Sequence, residues 1–351
     1  RLVYLLFFFL MFPRPPSSTL DRSSAASEGY KRQRLLSLLL TERVANERLA
    51  INERHEARRA QEARVRDQAI GGLVGLIEKS VGVKKASGDP LLDAARDARS
   101  RWEQRIALRM LVADARDGHG FVADSLDKTP KGWLPVNLGV IGGRLVILAS
   151  SSPDVPVGAV VSTINGDSAA RRLAETMRLC SGTQQWRAVQ AASELAQGPK
   201  GARIALAFES SKGPGTVTLG FDGTQPPAEK RPEPVTRLAP GIWYVDLTRT
   251  AMAKVTPALE AIANAGGVVF DLRGYPGDAG VGVLSHLATA PEADRWMHIA
   301  KIVGPFGQSA GWQSFGWDLA PASPRITGRV VFLTDGRAIS YAESVMGYVA
   351  D

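Results

Sequence analysis

The sequence predicts a multidomain α+β protein with a helical N-terminal region, a small β-rich domain and an α/β core of βαβ units. Three observations carry this. Residues 30–83 are rich in Leu, Ala, Arg and Glu and hold no proline. Between about Gly132 and Asp222, short apolar runs alternate with Gly- and Ser-rich turns. Beyond residue 237 the order becomes strand, helix, strand, helix, the pattern of a largely parallel sheet. A length of 351 residues accommodates two or three domains.

Composition narrows the chemistry. A hydrophobic fraction of 44% and a charged fraction of 22% exclude a wholly disordered, collagen-like or multi-spanning membrane chain. The single cysteine, Cys180, excludes an intramolecular disulfide framework and any Cys-rich zinc or iron–sulfur site. Four histidines (His55, His119, His286 and His298) show no paired ligand spacing, so neither metal nor cofactor is expected. The net charge is +8, and residues 31–70 alone hold ten Lys/Arg against six Asp/Glu. The acids are interleaved with the bases, as in Glu53-Arg54-His55-Glu56, which is the pattern of a solvated helix face rather than of a nucleic-acid surface.

Residues 1–28 read as a leader. Leu2 to Phe12 is an unbroken apolar run, too short to span a bilayer but suited to a signal-peptide h-region, and small residues follow at Ala25-Ala26-Ser27. The expected location is exported, periplasmic or extracellular, or cytoplasmic if the run is no real leader. Residues 29–125 form the helical region, interrupted at Gly71-Gly72. A second helix begins at Asp89-Pro90, with Trp102, Ile106 and Met110 as its buried stripe, and ends at Gly118 just before His119.

The β-rich domain spans 126–225. Its strands are expected around Val140, at Arg144–Leu148, Ala159–Ile164, Arg203–Phe208 and Thr216–Leu219. Asn165-Gly166 forms a tight turn, and Ser168–Leu195 is helical. Residues 226–236 carry four prolines between Pro226 and Pro234 and read as a stiff, polar linker. The core, 237–351, has strands at Ile242–Leu247, Gly267–Leu272 and Arg329–Thr334. Its helices are expected at Ala251–Ala265, Gly280–Ala288 and Ser340–Val349.

Two strand-to-helix junctions stand out, because α/β proteins bind ligands at the carboxyl ends of their strands. The strand Val268–Leu272 runs into Arg273-Gly274-Tyr275-Pro276-Gly277, a loop able to present backbone N–H groups to an oxyanion. The strand Val330–Thr334 leads through a turn to Ser340 at a helix N-terminus, where partial positive charge favours an ionised oxygen. The plainer reading of Ser340-x-x-Glu343 is a capping box, which needs no catalytic purpose.

Taken together, Gly241-Ile242-Trp243-Tyr244, Asp271-Leu272-Arg273-Gly274-Tyr275-Pro276-Gly277-Asp278 and Ser340-Tyr341-Ala342-Glu343 resemble motifs of the C-terminal-processing and tricorn-core serine peptidases. The 69-residue interval from Asp271 to Ser340 suits that family. The run Val157–Gly166 is similar to part of its PDZ-like domain. The resemblance covers residues from about 90 to 351 and implies a crotonase-like core, incomplete at its C-terminus.

That resemblance makes Ser340 the nucleophile, with the backbone N–H groups of Tyr341 and Gly277 as the oxyanion hole; Pro276 has no N–H to offer. Tyr275 and Asp278 depart from the family pattern, which has Asn and Gly there. For the base it implies either a lysine beyond Asp351 or, in the tricorn-like branch, the histidine of a "D-G-H" signature, here Asp117-Gly118-His119. His286 and His298 are read as structural. The function implied is a serine endopeptidase working through an acyl-enzyme on peptide or protein substrates, inactive in this fragment, with the PDZ-like module taking an extended peptide. Neither nucleic acid nor a specific membrane lipid is expected as a partner, and no pattern defines an oligomeric state. A non-catalytic peptide- or ligand-binding relative on the same scaffold is the alternative; an adaptor acting through the basic helices is less favoured.

Overall fold

The computed structural model describes residues 4–5, 64, 68, 90–114, 116, 118–124, 127–303 and 308–350. Most of the leader and of the basic 31–70 stretch lies outside these; Tyr4–Leu5 (β1) pairs antiparallel with Ala123–Asp124 (β2), and Arg64 and Gln68 are helical. Among the described residues no helix is long and apolar enough to cross a membrane. Two compact units emerge, with their main boundary between Ala228 and Glu229.

The first unit opens with helices α1 (Pro90–Asp97) and α2 (Arg101–Asp114). A single helix was expected here, but the chain breaks at Ala98–Ser100. Ser100 and Glu103 make a full capping box: the Glu103 amide donates to Ser100 Oγ at 3.1 Å, and the Ser100 amide donates to Glu103 Oε2 at 3.0 Å. This starts a new helix and resets which face is buried. Ala107 and Leu111 go inside, with Ala107 against Ala95 of α1, whereas Trp102 is 63% exposed. The expected stripe thus fails at Trp102, while Ile106 and Met110 are half-buried: small side chains at Ala95 and Ala107 make the contact between the two helices.

Next come β3 (Lys131–Trp133), β4 (Val136–Ile141), β5 (Arg144–Ser150), β6 (Val160–Ile164) and β7 (Asp167–Ser168). They are followed by helices α3 (Ala169–Met177) and α4 (Gln184–Leu195), then β8 (Gln197–Pro199), β9 (Arg203–Ser210) and β10 (Gly213–Gly220). The main sheet runs β10-β9-β6-β5-β4, all antiparallel, with β7 beside β6. Asn165 and Gly166 sit at φ +51° and +82°, the primed-turn geometry expected of Asn-Gly. Alternation along β9 (Ile204, Leu206 and Phe208 inward) packs the sheet on α3 and α4 around Leu134, Ile147 and Leu173. The expected helix over 168–195 is two helices, because Gly182 takes φ +112° at a point where a Cβ would lie 2.8 Å from Gly118 Cα.

The second unit holds β11 (Val235–Ala239), β12 (Ile242–Asp246), α5 (Met252–Val255), α6 (Leu259–Ala263), β13 (Gly267–Leu272) and α7 (Ala279–Ser285). It continues with β14 (Met297–Val303), β15 (Gln308–Phe315), β16 (Arg329–Thr334) and α8 (Tyr341–Ala350). Its sheet has the order β11-β12-β13-β16, parallel except for β11, and β14 and β15 form a separate two-stranded sheet. Val245, Phe270, Leu272, Val283 and Val345 are fully buried between this sheet and its helices. The helix expected over 251–265 is split by a 3₁₀ turn at Thr256–Ala258, where Pro257 has no N–H to continue it.

The proline-rich stretch is not a solvated linker. The Arg231 side chain is 8% exposed, the Pro232 carbonyl accepts from Arg249, and the Pro234 carbonyl accepts from the Asp246 amide at 2.7 Å. Residues 229–234 lie against the second unit, and β11 begins at Val235, inside the span read as linker.

Candidate active site

Both motif loops leave the carboxyl ends of neighbouring parallel strands. The register pairs Leu272 of β13 with Thr334 of β16, so the 273–278 loop and the 335–340 turn start side by side. Tyr341, first residue of α8, ties them together. Its hydroxyl donates to the Gly277 carbonyl at 3.3 Å and accepts from the Val281 amide at 3.2 Å, while its ring lies 5.9 Å from that of Tyr275 and 5.3 Å from that of Trp317.

Ser340 is 8% exposed and sits at φ +61°, a left-handed conformation uncommon for a residue with a Cβ. Only half of the expected capping box forms. Glu343 Oε2 accepts from the Ser340 amide at 2.8 Å, but among the described residues Ser340 Oγ makes no hydrogen bond. Ser100, with the same spacing, gives its oxygen to the Glu103 amide. The carboxylate thus holds the serine backbone while the hydroxyl stays available, next to the positive end of a ten-residue helix.

The loop amides divide differently from expectation. The Gly277 N–H, expected in the oxyanion hole, donates to the Leu247 carbonyl at 3.1 Å. Gly274, at φ +140°, turns its amide back to the Leu272 carbonyl at 2.9 Å. Among the described residues the amides of Tyr275 and Tyr341 donate to nothing, as do those of Asp278, Gly336 and Ile339 in the same two loops. Asp278 turns its carboxylate to the Met252 amide at 3.0 Å. Its charge is partly spent on capping α5.

Beneath the loops lies a buried ionic network. Asp246 and Asp271 are fully buried. Tyr244 donates to Asp271 Oδ2 at 2.7 Å, Arg273 chelates Asp271, Arg249 reaches Asp246 at 2.6 Å, and Arg231 lies 3.3 Å from Asp246 and 3.8 Å from Asp271. Burial pushes the Asp271 pKa up, but hydrogen bonds from Arg273 and Tyr244 outweigh it and hold the carboxyl well below the usual range. Asp246 is lowered in the same way, burial being outweighed by Thr248 and Arg249. The Tyr244 hydroxyl is pushed up to about 12 by burial and by its bond to Asp271. These pairs anchor the loop backbone, since the Arg273 amide itself donates to Asp271 Oδ1 at 3.0 Å.

His119 belongs to the first unit, half-buried and directly after Gly118, whose carbonyl accepts from Trp186 Nε1 at 2.9 Å. His286 caps α7 and contacts the Pro324 carbonyl at 2.9 Å, and His298 contacts Ser314 at 2.8 Å. Among the described residues no group of three or more His, Cys, Asp or Glu is placed to hold a metal.

No family model and no curated protein matches the chain. Solved structures do. Mature CPAF aligns over 89% of this chain and 80% of its own, at 10% identity and a TM-score of 0.51. Mature CPAF complexed with lactacystin gives 89%, 81%, 11% and 0.52. The fold is similar to that of mature CPAF. The photosystem II D1 C-terminal processing protease aligns over 92% of this chain and 78% of its own, at 16% identity and a TM-score of 0.37. At 10–11% identity, what is shared with CPAF is the course of the backbone.

The sequence missed Glu229, Arg231 and Arg337 as parts of this region. The signal was the alternation of charges in Glu229-Lys230-Arg231 within the prolines, which a freely solvated spacer does not need.

Proposed function

We propose that this chain is a serine-type endopeptidase of the C-terminal-processing and tricorn-core kind. The observation that carries the reading is Ser340: a hydroxyl with no hydrogen bond among the described residues, on a left-handed residue between a strand end and a helix N-terminus. Strained residues of this kind cluster at functional sites, and a serine raised on a strand-to-helix turn is the geometry of a nucleophile elbow. In the proposed reaction Ser340 Oγ bonds to a peptide carbonyl carbon and its proton passes to His119. The oxyanion is met by the Tyr341 amide together with a loop amide, Tyr275 in the conformation described. The amine leaves with the proton, and water then releases the acyl group. The β-rich module, read as PDZ-like, supplies an edge strand to an extended peptide. The core is read as crotonase-like and the protein as exported.

One observation favours the non-catalytic alternative: the Gly277 amide is engaged by Leu247. A fluorophosphonate probe decides between the two. The protein expressed from its full reading frame should be labelled at Ser340, and Ser340→Ala should abolish both labelling and peptide hydrolysis. Absence of labelling alongside retained peptide binding would establish the binding relative instead.

A further inference from the structure

A chain of four charged groups links the two motif loops across the carboxyl ends of the strands. Arg231 donates to the Arg273 carbonyl at 2.9 Å and lies against Asp271, holding the loop after β13. It also meets Glu229 Oε2 at 3.4 Å. Glu229, its side chain only 15% exposed, pairs through Oε1 with Arg337 in the turn after β16. Arg337 in turn holds Asp335: its amide donates to Asp335 Oδ1 at 2.9 Å and its Nε to Oδ2 at 2.9 Å. Three residues later stands Ser340 with its left-handed backbone.

We propose that Glu229 is a positioning residue: it bridges Arg231 and Arg337 and so sets the spacing between the 273–278 loop and the turn that presents Ser340. The inference rests on the peptidase reading only for its effect on rate; the mechanical claim stands apart from it. The charges explain why a carboxylate is required. Without Glu229, Arg231 would keep Asp246 and Asp271 and Arg337 would keep Asp335, but the two guanidiniums, 8% and 27% exposed, would lose the one carboxylate that joins them. The two loops are otherwise joined near the serine by the Tyr341 hydroxyl bonds, which hold the start of α8 and not the turn before it. A turn free to relax would let Ser340 leave φ +61° for a more populated region, and misplacing a nucleophile by about 1 Å costs on the order of 100-fold in rate.

Two readouts on Glu229→Gln and Arg337→Gln test this in the full protein. The first is amide hydrogen exchange across residues 335–342, which needs no activity. Both variants should exchange at least tenfold faster there, with β13 and β16 protected as before. The second is the rate of fluorophosphonate labelling and of peptide turnover. Both variants should lose tenfold or more in kcat with KM little changed, the double variant should lose no more than either single one, and Arg337→Lys should recover part of the loss. Unchanged exchange in the turn overturns the proposal, even where rates fall. Faster exchange in the variants of a protein whose wild type is never labelled supports the bridge and overturns the peptidase reading.

Discussion

Ser340 combines two costs that an inert cap would avoid. Its backbone is left-handed, and its hydroxyl satisfies none of the orphan amides at the start of α8. Glycine carries no Cβ penalty at φ +61°, so Ser340→Gly should be more stable than Ser340→Ala by about 1 kcal/mol. Paired urea melts check this; equal stabilities would mean that residue 340 relaxes out of the left-handed region in solution. Either variant abolishes the proposed chemistry, so the comparison isolates the backbone. Tyr341 next to it has a structural duty, its hydroxyl bridging the Gly277 carbonyl and the Val281 amide. Tyr341→Phe should therefore loosen the loop while leaving the amide proposed for the oxyanion untouched.

At the scale of elements, two sequences of the form Ser-x-x-Glu give different helix starts. Ser100→Ala removes a real side-chain cap from α2 and should cost about 1 kcal/mol, whereas Ser340→Ala should cost clearly less because its oxygen caps nothing. Thermal melts that rank the two the other way would contradict the geometry. Motif spacing could not separate these cases, since the difference lies in one φ angle. Other elements were legible. β13 and β16 match their expected spans, because each is a short apolar run bounded by Gly or polar residues, but only β13 is buried: β16 lies at the sheet edge, with Val331 half exposed. Helix breaks were not: Pro257 splits one expected helix, Gly182 another, and Ser100 re-phases a third. Trp102 shows why periodicity failed there. A large side chain at helical spacing looks like core, but the contact was made by Ala95 and Ala107. The linker was misread for a related reason, since composition reports stiffness and polarity but not that Arg231 finds Asp246 and Asp271 fifteen and forty residues on.

At the scale of the molecule, the second unit is tied to pH through its buried carboxylates. Asp246 and Asp271 titrate below the ordinary carboxylate range when folded and near ~3.9 when unfolded. As pH falls the unfolded chain takes up protons first, so their stabilisation is complete above about pH 5 and lost progressively below it. Asp271→Asn should weaken the unit at neutral pH, leaving Arg273 without its partner, and should flatten the acid limb in urea melts between about pH 5 and pH 2. A limb as steep as the wild type's would show that other carboxylates govern it. The last question spans both units, since the proposed nucleophile and base are 221 residues apart. Imidazole is the commonest base for a serine nucleophile, and members of one catalytic unit act non-additively. In the protein from its full reading frame, His119→Ala should lower kcat about as far as Ser340→Ala, and the double variant should fall no further. Thermal melts of all three would separate this from unfolding, because Gly118, held by Trp186, is unchanged in each. A lysine acting as base would leave His119→Ala with most of its activity, and that result would remove the histidine from the mechanism while keeping Ser340 in it.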